Sequence, residues 1–222
     1  MCGRFTQQFS YAEVVYYSQL TSSHPSDVVI ATPMRDARVI CLDANGDRAS
    51  IPMRWGWPAS GPVDRPKHIH ARAETIDTLP TFAESFRERR GILLVRDFNE
   101  GEETGARSKR QWVITPKDGQ PLAIAVIWQS FTRGAVSTPM FVQATTPANT
   151  LITPITDRMP AILQPDDWEV WLGETRAPLD EVKALLRTFE DNGAWTMQPQ
   201  GAKKTAAPPK SAPTPPPQGD LF

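Results

Sequence analysis

The second residue of the chain is a cysteine, and Cys2 becomes amino-terminal if Met1 is removed, as is expected before a small side chain. A terminal cysteine carries an α-amine with a pKa of about 8 beside a thiol with a pKa of about 8.5, so both are partly nucleophilic near neutral pH. The amine can condense with an aldehyde, and the thiol can then close onto the imine carbon to give a thiazolidine. The plainer interpretation is a small residue that favours removal of Met1.

Composition limits where such chemistry can take place. The 222 residues are 40% hydrophobic and 22% charged, and their net charge of −1 gives no bulk basic field that would indicate nucleic acid. Cys2 and Cys41 are too few for a disulfide scaffold and favour a reducing compartment; Cys41, in a strand-like run, is expected to be an inert buried thiol. We expect neither a secretory signal nor a membrane span.

Seven of the 22 prolines fall between Pro199 and Pro217, near the end of the chain. Residues 197–217 contain no aromatic residue and no Val, Ile or Leu, so they cannot bury enough apolar area to offset the entropy of ordering. The sequence therefore predicts a folded domain over 1–196 and a disordered Pro/Ala/Lys-rich linker over 197–217. The linker is basic, which leaves the folded domain mildly acidic, so any anion site there must be local.

Periodicity in the folded part predicts a mixture of helices and strands. Apolar residues recur with helical spacing at 11–20, 80–90, 165–172 and 179–190. Strand-like runs occur at 27–31, 37–42, 91–98, 111–115, 122–129 and 139–145. Asp-Gly within 116–121 predicts a hairpin between its neighbouring strands. Clustered strands with irregularly placed helices favour an α+β fold over a doubly wound parallel sheet.

Six short motifs, in order along residues 1 to about 190, resemble those of the SOS response-associated peptidase (SRAP) family. They are MCGRF at the start, RWGW at 54–57, ARAET at 71–75, ERRG at 88–91, TTPAN at 145–149 and DRMPAIL at 157–163. The resemblance implies a single domain with a curved, mostly antiparallel sheet or open barrel flanked by helices. It also implies an enzyme, of lyase and thiol autopeptidase type, that crosslinks to abasic sites in single-stranded DNA.

The resemblance assigns roles to the residues that match these motifs. Cys2 corresponds to the residue that forms the thiazolidine with the ring-opened abasic sugar. Gly3 is expected to allow close approach of DNA, and Arg4, Arg72 and Arg158 match phosphate-contacting positions, a task suited to guanidinium groups. The alternative for each arginine, taken alone, is a solvated charge or an internal ion pair.

The family's general acid/base is a glutamate at the end of a strand, and Glu100 is our candidate for it. Glu102 and Glu103 are close enough in sequence to compete, and a solvated acidic loop is the alternative interpretation. Gly101 stands where the family has a Trp, which indicates that one stacking surface for DNA is lost or moved. Trp55, in the RWGW motif, is a second candidate for contact with DNA.

Two positions depart from the family pattern. His70 stands where the family usually has Asn, and Thr156 where it usually has a His that assists sugar opening and crosslink reversal. Either the imidazole has migrated to His70, or part of the acid/base machinery is lost; Thr156 is kept among the DNA-contacting positions. His68 has matching side-chain parity with His70, but two histidines fall short of a zinc site, so we expect no metal and no cofactor.

The last five residues, Gln218-Gly219-Asp220-Leu221-Phe222, resemble the peptide with which bacterial polymerases and repair proteins bind the sliding clamp. Gln218 and Asp220 would make polar contacts, and Leu221 and Phe222 would enter an apolar pocket. An ordinary frayed terminus is the alternative.

Together these features predict a cytoplasmic, nucleoid-associated monomer that recognises abasic sites in single-stranded DNA and shields them as a Cys2 crosslink. Two alternatives stay open. One is a clamp-recruited DNA-binding module that crosslinks poorly, and the other is a thiol peptidase limited to self-processing.

Overall fold

The structure, a computed structural model, describes residues 2–9, 13, 14, 17, 29–58, 66–103 and 110–201. The strands are β1 (Arg4–Gln7), β2 (Val29–Ala31), β3 (Asp36–Leu42), β4 (Arg48–Trp55), β5 (Trp57–Pro58), β6 (Pro66–His68), β7 (His70–Arg72), β8 (Arg90–Val95), β9 (Asp97–Gly101), β10 (Gln111–Pro116), β11 (Leu122–Arg133), β12 (Val136–Pro147), β13 (Arg158–Pro160), β14 (Ile162–Leu163) and β15 (Trp195–Pro199). The helices are α1 (Pro80–Glu88), α2 (Trp168–Leu172), which follows a 3₁₀ turn at Pro165–Asp167, and α3 (Leu179–Ala184).

Five strands close into a barrel in the order β12, β4, β3, β8, β11 and back to β12. All of these pairings are antiparallel except that of β4 with β12. The carboxyl-terminal half of β12 is flanked by two further short strands, with β7 parallel to it and β13 antiparallel. β14 extends the other side of β11.

A second, five-stranded sheet has the order β15, β10, β9, β1 and β2. Its inner strand β1 is hydrogen-bonded on both sides, to β2 and to β9. Because β1 is an inner strand, its two partners hold the main chain that follows Cys2 in place.

The barrel strands alternate between two apolar cores, as expected for strands covered on both faces. One core combines every second barrel residue with the inward faces of the helices, including Phe82, Phe86 and Trp171. The other combines the alternate residues with Phe5, Phe98 and Ile114 of the five-stranded sheet. Cys2 and Cys41 both belong to the second core, so Cys41 is the buried thiol that the sequence predicts.

The predicted α+β fold with a curved, mostly antiparallel barrel is confirmed, but two local predictions are wrong. The turn at Asp118-Gly119 joins β10 to β11, which lie in different sheets, so it does not form a hairpin. The predicted strand 91–98 is two strands, because Arg96 turns the chain and the strands on either side of it, β8 and β9, enter different sheets.

The carboxyl-terminal boundary of the fold lies later than predicted. Residues 197–199 belong to β15, which pairs with β10, and the Gln200 N–H donates to the Gln111 carbonyl at 2.8 Å. Composition did not reveal this strand, because residues 197–199 are ordered by pairing with β10 and need to bury only part of their own surface. The linker from residue 202 onward and the peptide 218–222 lie outside the described residues.

Within the predicted helix 11–20, the structure describes Glu13, Val14 and Tyr17, and all three are helical.

Candidate active site

Two neighbouring strands bring together the predicted nucleophile and the predicted acid/base. β1 and β9 pair with Arg4 opposite Asn99, so the segment before Arg4 runs alongside Glu100. The Cys2 side chain is 1% exposed, and its thiol donates to the Arg4 carbonyl at 3.4 Å. Burial first, and then the charge of Glu100, raise the pKa of the Cys2 thiol well above its ordinary value. The thiol therefore needs a base to become a thiolate.

Glu100 lies in the core of the five-stranded sheet and is fully buried. Burial raises the pKa of its carboxyl to about 7, and the charge of the amino terminus and the nearby backbone N–H of Cys2 act in the opposite direction. A carboxyl with a pKa near neutrality can both give and take a proton at physiological pH. Of the three candidates Glu100, Glu102 and Glu103, Glu100 is therefore the one that lies next to Cys2.

His70 approaches the same cysteine from the barrel. It begins β7, and its ring lies edge-on to Trp55 with 6.2 Å between centroids. Both ring nitrogens are buried and neither makes a well-formed hydrogen bond. Burial lowers the pKa of His70 to about 4, while the backbone of Cys2 and the side chain of Gln143 are near enough to oppose that shift. His70 is accordingly neutral at pH 7.

The parity argument that linked His68 to His70 is wrong. The chain bends at Ile69, so His68 ends β6, which pairs with β5, whereas His70 begins β7, which pairs with β12. The His68 ring packs edge-on against Phe82 of α1 at 5.3 Å between centroids. The structure therefore distinguishes the two histidines, and only His70 lies beside Cys2.

Sequence reasoning missed the residue that faces His70 from β12. Gln143 pairs with His70 in the parallel β7–β12 register and is fully buried. Its carboxamide nitrogen and oxygen, like the Thr146 hydroxyl three residues further along, are buried without a well-formed hydrogen bond. A glutamine inside the apolar run Met140 to Ala144 is the only signal that the sequence offers for it.

Arg158 does not present its guanidinium to solvent. It is 8% exposed and makes a bidentate ion pair with Glu74, at 2.5 Å from Nη1 to Oε1 and 2.9 Å from Nη2 to Oε2. Its Nη2 also donates to the Thr145 carbonyl at 2.6 Å. The assignment of Arg158 as a phosphate contact is thus replaced by the internal ion pair, because both Nη atoms are engaged and Nε, which has no hydrogen bond, is buried.

Arg4 and Arg72 differ from Arg158. Neither side chain makes a hydrogen bond or ion pair with any residue that the structure describes, and Arg72 is exposed. A side chain added at Gly3 would meet nothing within 4 Å, so the chain next to Cys2 borders open space. An anionic ligand could therefore approach Cys2 past Gly3, and the side chains of Arg4 and Arg72 are available to contact it.

Trp55 is not a surface for stacking bases. It is fully buried, stacks on Phe141 with an interplanar angle of 7°, and donates from its indole nitrogen to the Ile69 carbonyl at 3.0 Å. The physical reason is the bend at Gly56, whose φ of +103° allows Trp55 and Trp57 to enter the two different cores. Trp55 shapes the wall behind His70 instead.

Trp112 of β10 is half-buried. It lies directly opposite Glu100 across β9 and β10, so the two side chains share one face of the sheet. Its indole nitrogen donates to Glu102 at 3.2 Å, and the Arg110 guanidinium lies 4.9 Å from the ring centroid. An aromatic ring capped by a cation therefore borders the site on the side where Gly101 provides no ring.

Thr156 is buried in the turn before β13, and Arg158, two residues later, lowers the pKa of His70 by its charge. The Glu103 N–H donates to the Ile155 carbonyl at 2.8 Å, which ties this turn to the end of β9. In the part of the chain described here, no three His, Cys, Asp or Glu residues are grouped to hold a metal. No helix among the described residues has the length and apolar character to span a membrane.

The structure thus joins a closed barrel to a second sheet and brings a cysteine, a carboxyl with a pKa near 7 and a neutral imidazole together at the junction. The sequence profile of the family described as SOS response associated peptidase (SRAP) matches residues 1–200. The chain belongs to this family.

Curated relatives and solved structures agree with that assignment. The chain is 26% identical over 202 residues to "Abasic site processing protein YoqW" of Bacillus subtilis (strain 168), covering 86% of this chain and 88% of that one. It is 28% identical over 181 residues to "Abasic site processing protein YedK" of Escherichia coli (strain K12), covering 78% and 79%. A crystal structure of a Bordetella bronchiseptica protein has a TM-score of 0.73 at 19% identity, covering 89% of this chain and 99% of that one.

Proposed function

We propose that this protein recognises abasic sites in single-stranded DNA and forms a thiazolidine crosslink with them through Cys2. The observation that carries the proposal is the closeness of the Cys2 backbone to both Glu100 and His70, just before the inner strand β1 begins. Two relatives named as abasic site processing proteins support the choice of substrate.

Removal of Met1 turns the Cys2 backbone nitrogen into an α-amine. That nitrogen lies against the Glu100 carboxylate, so the new amine forms beside a group that can accept its proton. The unprotonated amine is the nucleophile that attacks an aldehyde, and Glu100, with a pKa of about 7, is poised to hold the proton at physiological pH.

The closed abasic sugar must first open. Opening breaks the bond between the ring oxygen and the anomeric carbon, removes a proton from the anomeric hydroxyl and delivers one to the ring oxygen. Glu100 supplies one of these transfers, and neutral His70 has one donor and one acceptor nitrogen with which to assist. This assignment follows the interpretation in which the imidazole has moved from position 156 to position 70.

Crosslink formation then balances without any oxidant or cofactor. The Cys2 amine adds to the aldehyde carbon and water leaves, which gives the imine. The Cys2 sulfur adds to the imine carbon, and the thiol proton passes to the nitrogen, through Glu100 because the buried thiol is a weak acid. One aldehyde and one cysteine therefore yield one thiazolidine and one water.

DNA reaches this centre across the open space beside Gly3. Arg4 and Arg72 attract its phosphates, so binding should weaken as salt concentration rises. Trp112 with Arg110 offers a stacking surface for a base next to the lesion, on the same sheet face as Glu100. Two further parts of the proposal rest on the sequence alone. A sliding clamp recruits the monomer through residues 218–222, and the protein acts in the cytoplasm at the nucleoid.

Incubation with a labelled single-stranded oligonucleotide that holds one abasic site tests the proposal. We expect a heat- and detergent-resistant shifted band for the wild-type protein and for Cys41→Ala, the matched control for the other buried thiol, but none for Cys2→Ala. Binding in native gels without a covalent band would favour the alternative of a non-covalent DNA-binding module. Cleavage of an unrelated peptide would favour the peptidase.

A further inference from the structure

Gln143 is a polar side chain in a setting that ordinarily excludes one. The residue is 0% exposed to solvent, and its strand neighbours Val142 and Ala144 are equally buried. Burying an amide without hydrogen bonds costs on the order of 1–3 kcal/mol. A residue kept at that cost calls for an explanation other than stability.

The buried Asn149 shows how an amide with a folding role behaves in this protein. Its nitrogen donates to the Phe189 carbonyl at 3.0 Å, and its oxygen accepts from the Ile152 N–H at 3.0 Å. Both ends of Asn149 are thus tied to the main chain, whereas neither end of Gln143 has a well-formed hydrogen bond. Gln143 does not serve as a structural amide of this kind.

The group that Gln143 faces is His70. The two residues are direct partners in the parallel β7–β12 register, so their side chains extend on the same side of the sheet. His70 also has two buried ring nitrogens without a well-formed hydrogen bond, and the Cys2 backbone is close enough to the ring to affect its pKa. The imidazole therefore has both an amide and the backbone of the proposed nucleophile as neighbours.

We propose that Gln143 is a positioning residue that sets which ring nitrogen of His70 carries the proton. A neutral imidazole has one N–H donor and one acceptor nitrogen, and an amide can satisfy either by turning its oxygen or its nitrogen toward the ring. By engaging one nitrogen, Gln143 directs the other to Cys2. The catalytic consequence rests on the proposed function, but the tautomer does not.

The charged groups around His70 are few. The charge of the amino terminus and then that of Arg158 of β13 lower the pKa of the imidazole, and the Glu100 carboxyl of β9 acts on the neighbouring Cys2. None of the three is altered by a substitution at 143, so a change in His70 can be assigned to the amide.

Nitrogen-15 NMR of the histidine rings, on the chain that begins at Cys2 and without DNA, tests the tautomer directly, with His70→Ala to assign the signal. We expect one dominant tautomer in the wild-type protein and a mixture in Gln143→Leu. Gln143→Glu should keep one tautomer and raise the pKa of His70 from about 4 to about 6, because a carboxylate favours the charged ring. An unchanged ring spectrum in Gln143→Leu, or an unchanged pKa in Gln143→Glu, would overturn the inference.

Ser85→Ala is the matched control, since Ser85 is 1% exposed and its hydroxyl is also buried without a well-formed hydrogen bond, but it lies on α1. In the crosslinking assay we expect Gln143→Leu to slow adduct formation about ten-fold with unchanged affinity for single-stranded DNA, and Ser85→Ala to have no effect. Equal rates for Gln143→Leu and wild type contradict a positioning role. If the wild type forms no adduct, the proposed function fails, and the NMR result still decides this inference.

Discussion

The two sides of β12 treat buried polar groups in opposite ways. On the β13 side, the Arg158 guanidinium is paired with Glu74 and bonded to the Thr145 carbonyl. On the β7 side, Gln143 is fully buried and both ring nitrogens of His70 are buried, yet neither side chain has a well-formed hydrogen bond. Two neighbouring clusters on one strand therefore differ in how far their buried polar atoms are paired.

We attribute the difference to a structural role for Arg158 and to the reactive role proposed for the residues around Cys2. Buried donors and acceptors are normally paired, because each unpaired group costs free energy. The Arg158 guanidinium follows that rule at its two Nη atoms, though not at Nε, and ties β12, β13 and the segment after β7 together. The His70 cluster breaks it beside Cys2, the proposed nucleophile, and a functional site is where unsatisfied groups can instead meet a ligand.

The largest expected effect concerns the reactive side. Glu100→Gln should slow crosslink formation by at least about 100-fold, because the amide cannot transfer a proton. The wild-type rate should change slope near pH 7, where the Glu100 carboxyl titrates, and the variant should lack that change. Stopped-time gel assays between pH 5.5 and 8.5 measure both, and a variant within three-fold of the wild-type rate would remove Glu100 from the mechanism.

The same variant sharpens the comparison through stability. Burial raises the pKa of Glu100 from 4.5 to about 7, so its folded form keeps a proton that the unfolded chain has lost. The stability that this proton preserves is present below pH 4.5 and is lost as pH rises through 7. Between pH 5.5 and 8.5, wild type should lose about 2 kcal/mol more than Glu100→Gln in urea unfolding; parallel curves would contradict the raised pKa.

The second prediction concerns the ion pair between Glu74 and Arg158. Glu74→Ala leaves the buried Arg158 charge without its carboxylate and should lower the free energy of unfolding by about 2 kcal/mol. That is below the full cost of breaking a buried pair, because the Glu74 side chain is 49% exposed. Glu84→Ala, which removes the exposed partner of Arg89, is the control and should leave the stability nearly unchanged.

Adduct formation under folding conditions completes that test. Glu74→Ala should keep a rate close to wild type, since Glu74 takes no part in proton transfer. A large loss of rate with normal stability would show that the Arg158 cluster is reactive and would erase the contrast between the two sides of β12.

The smallest effect separates the two histidines. His70→Ala should slow adduct formation about ten-fold, whereas His68→Ala, which alters only a contact with Phe82, should not. Because burial lowers the pKa of His70 to about 4, the difference should persist unchanged from pH 6 to 8. Equal rates for the two variants would favour loss, rather than migration, of the family imidazole.

Much of the fold could be predicted because its strands have continuous apolar runs. The strands around 92–95, 122–129 and 139–145 were of this kind, and the α+β class followed from them. Short strands escaped prediction: β1 and β7 have three or four residues each and are held by their partners rather than by their own pattern. The Asp-Gly turn could not reveal that its two strands enter different sheets, because turn chemistry is local and sheet membership is not.

The site divided along the same line. Cys2 and Glu100 could be proposed as site residues from motif and position, and His70 from its departure from the family pattern; the structure brings the three together. Burial of Trp55 and the pairing of Arg158 with Glu74 depend on contacts distant in sequence, so neither could be read from the motifs. Gln143 was invisible because its significance lies in what it faces across the β7–β12 pairing.

The central claim is that Cys2 reacts with an abasic aldehyde through both its amine and its thiol. The most direct measurement is tandem mass spectrometry of the amino-terminal peptide after reaction with an abasic oligonucleotide, nuclease digestion and treatment with a thiol-alkylating reagent. We predict that the peptide begins at Cys2, carries the sugar remnant with the loss of one water, and has a sulfur that resists alkylation. An unmodified Cys2 peptide, or a sugar remnant attached to a lysine, would contradict the account.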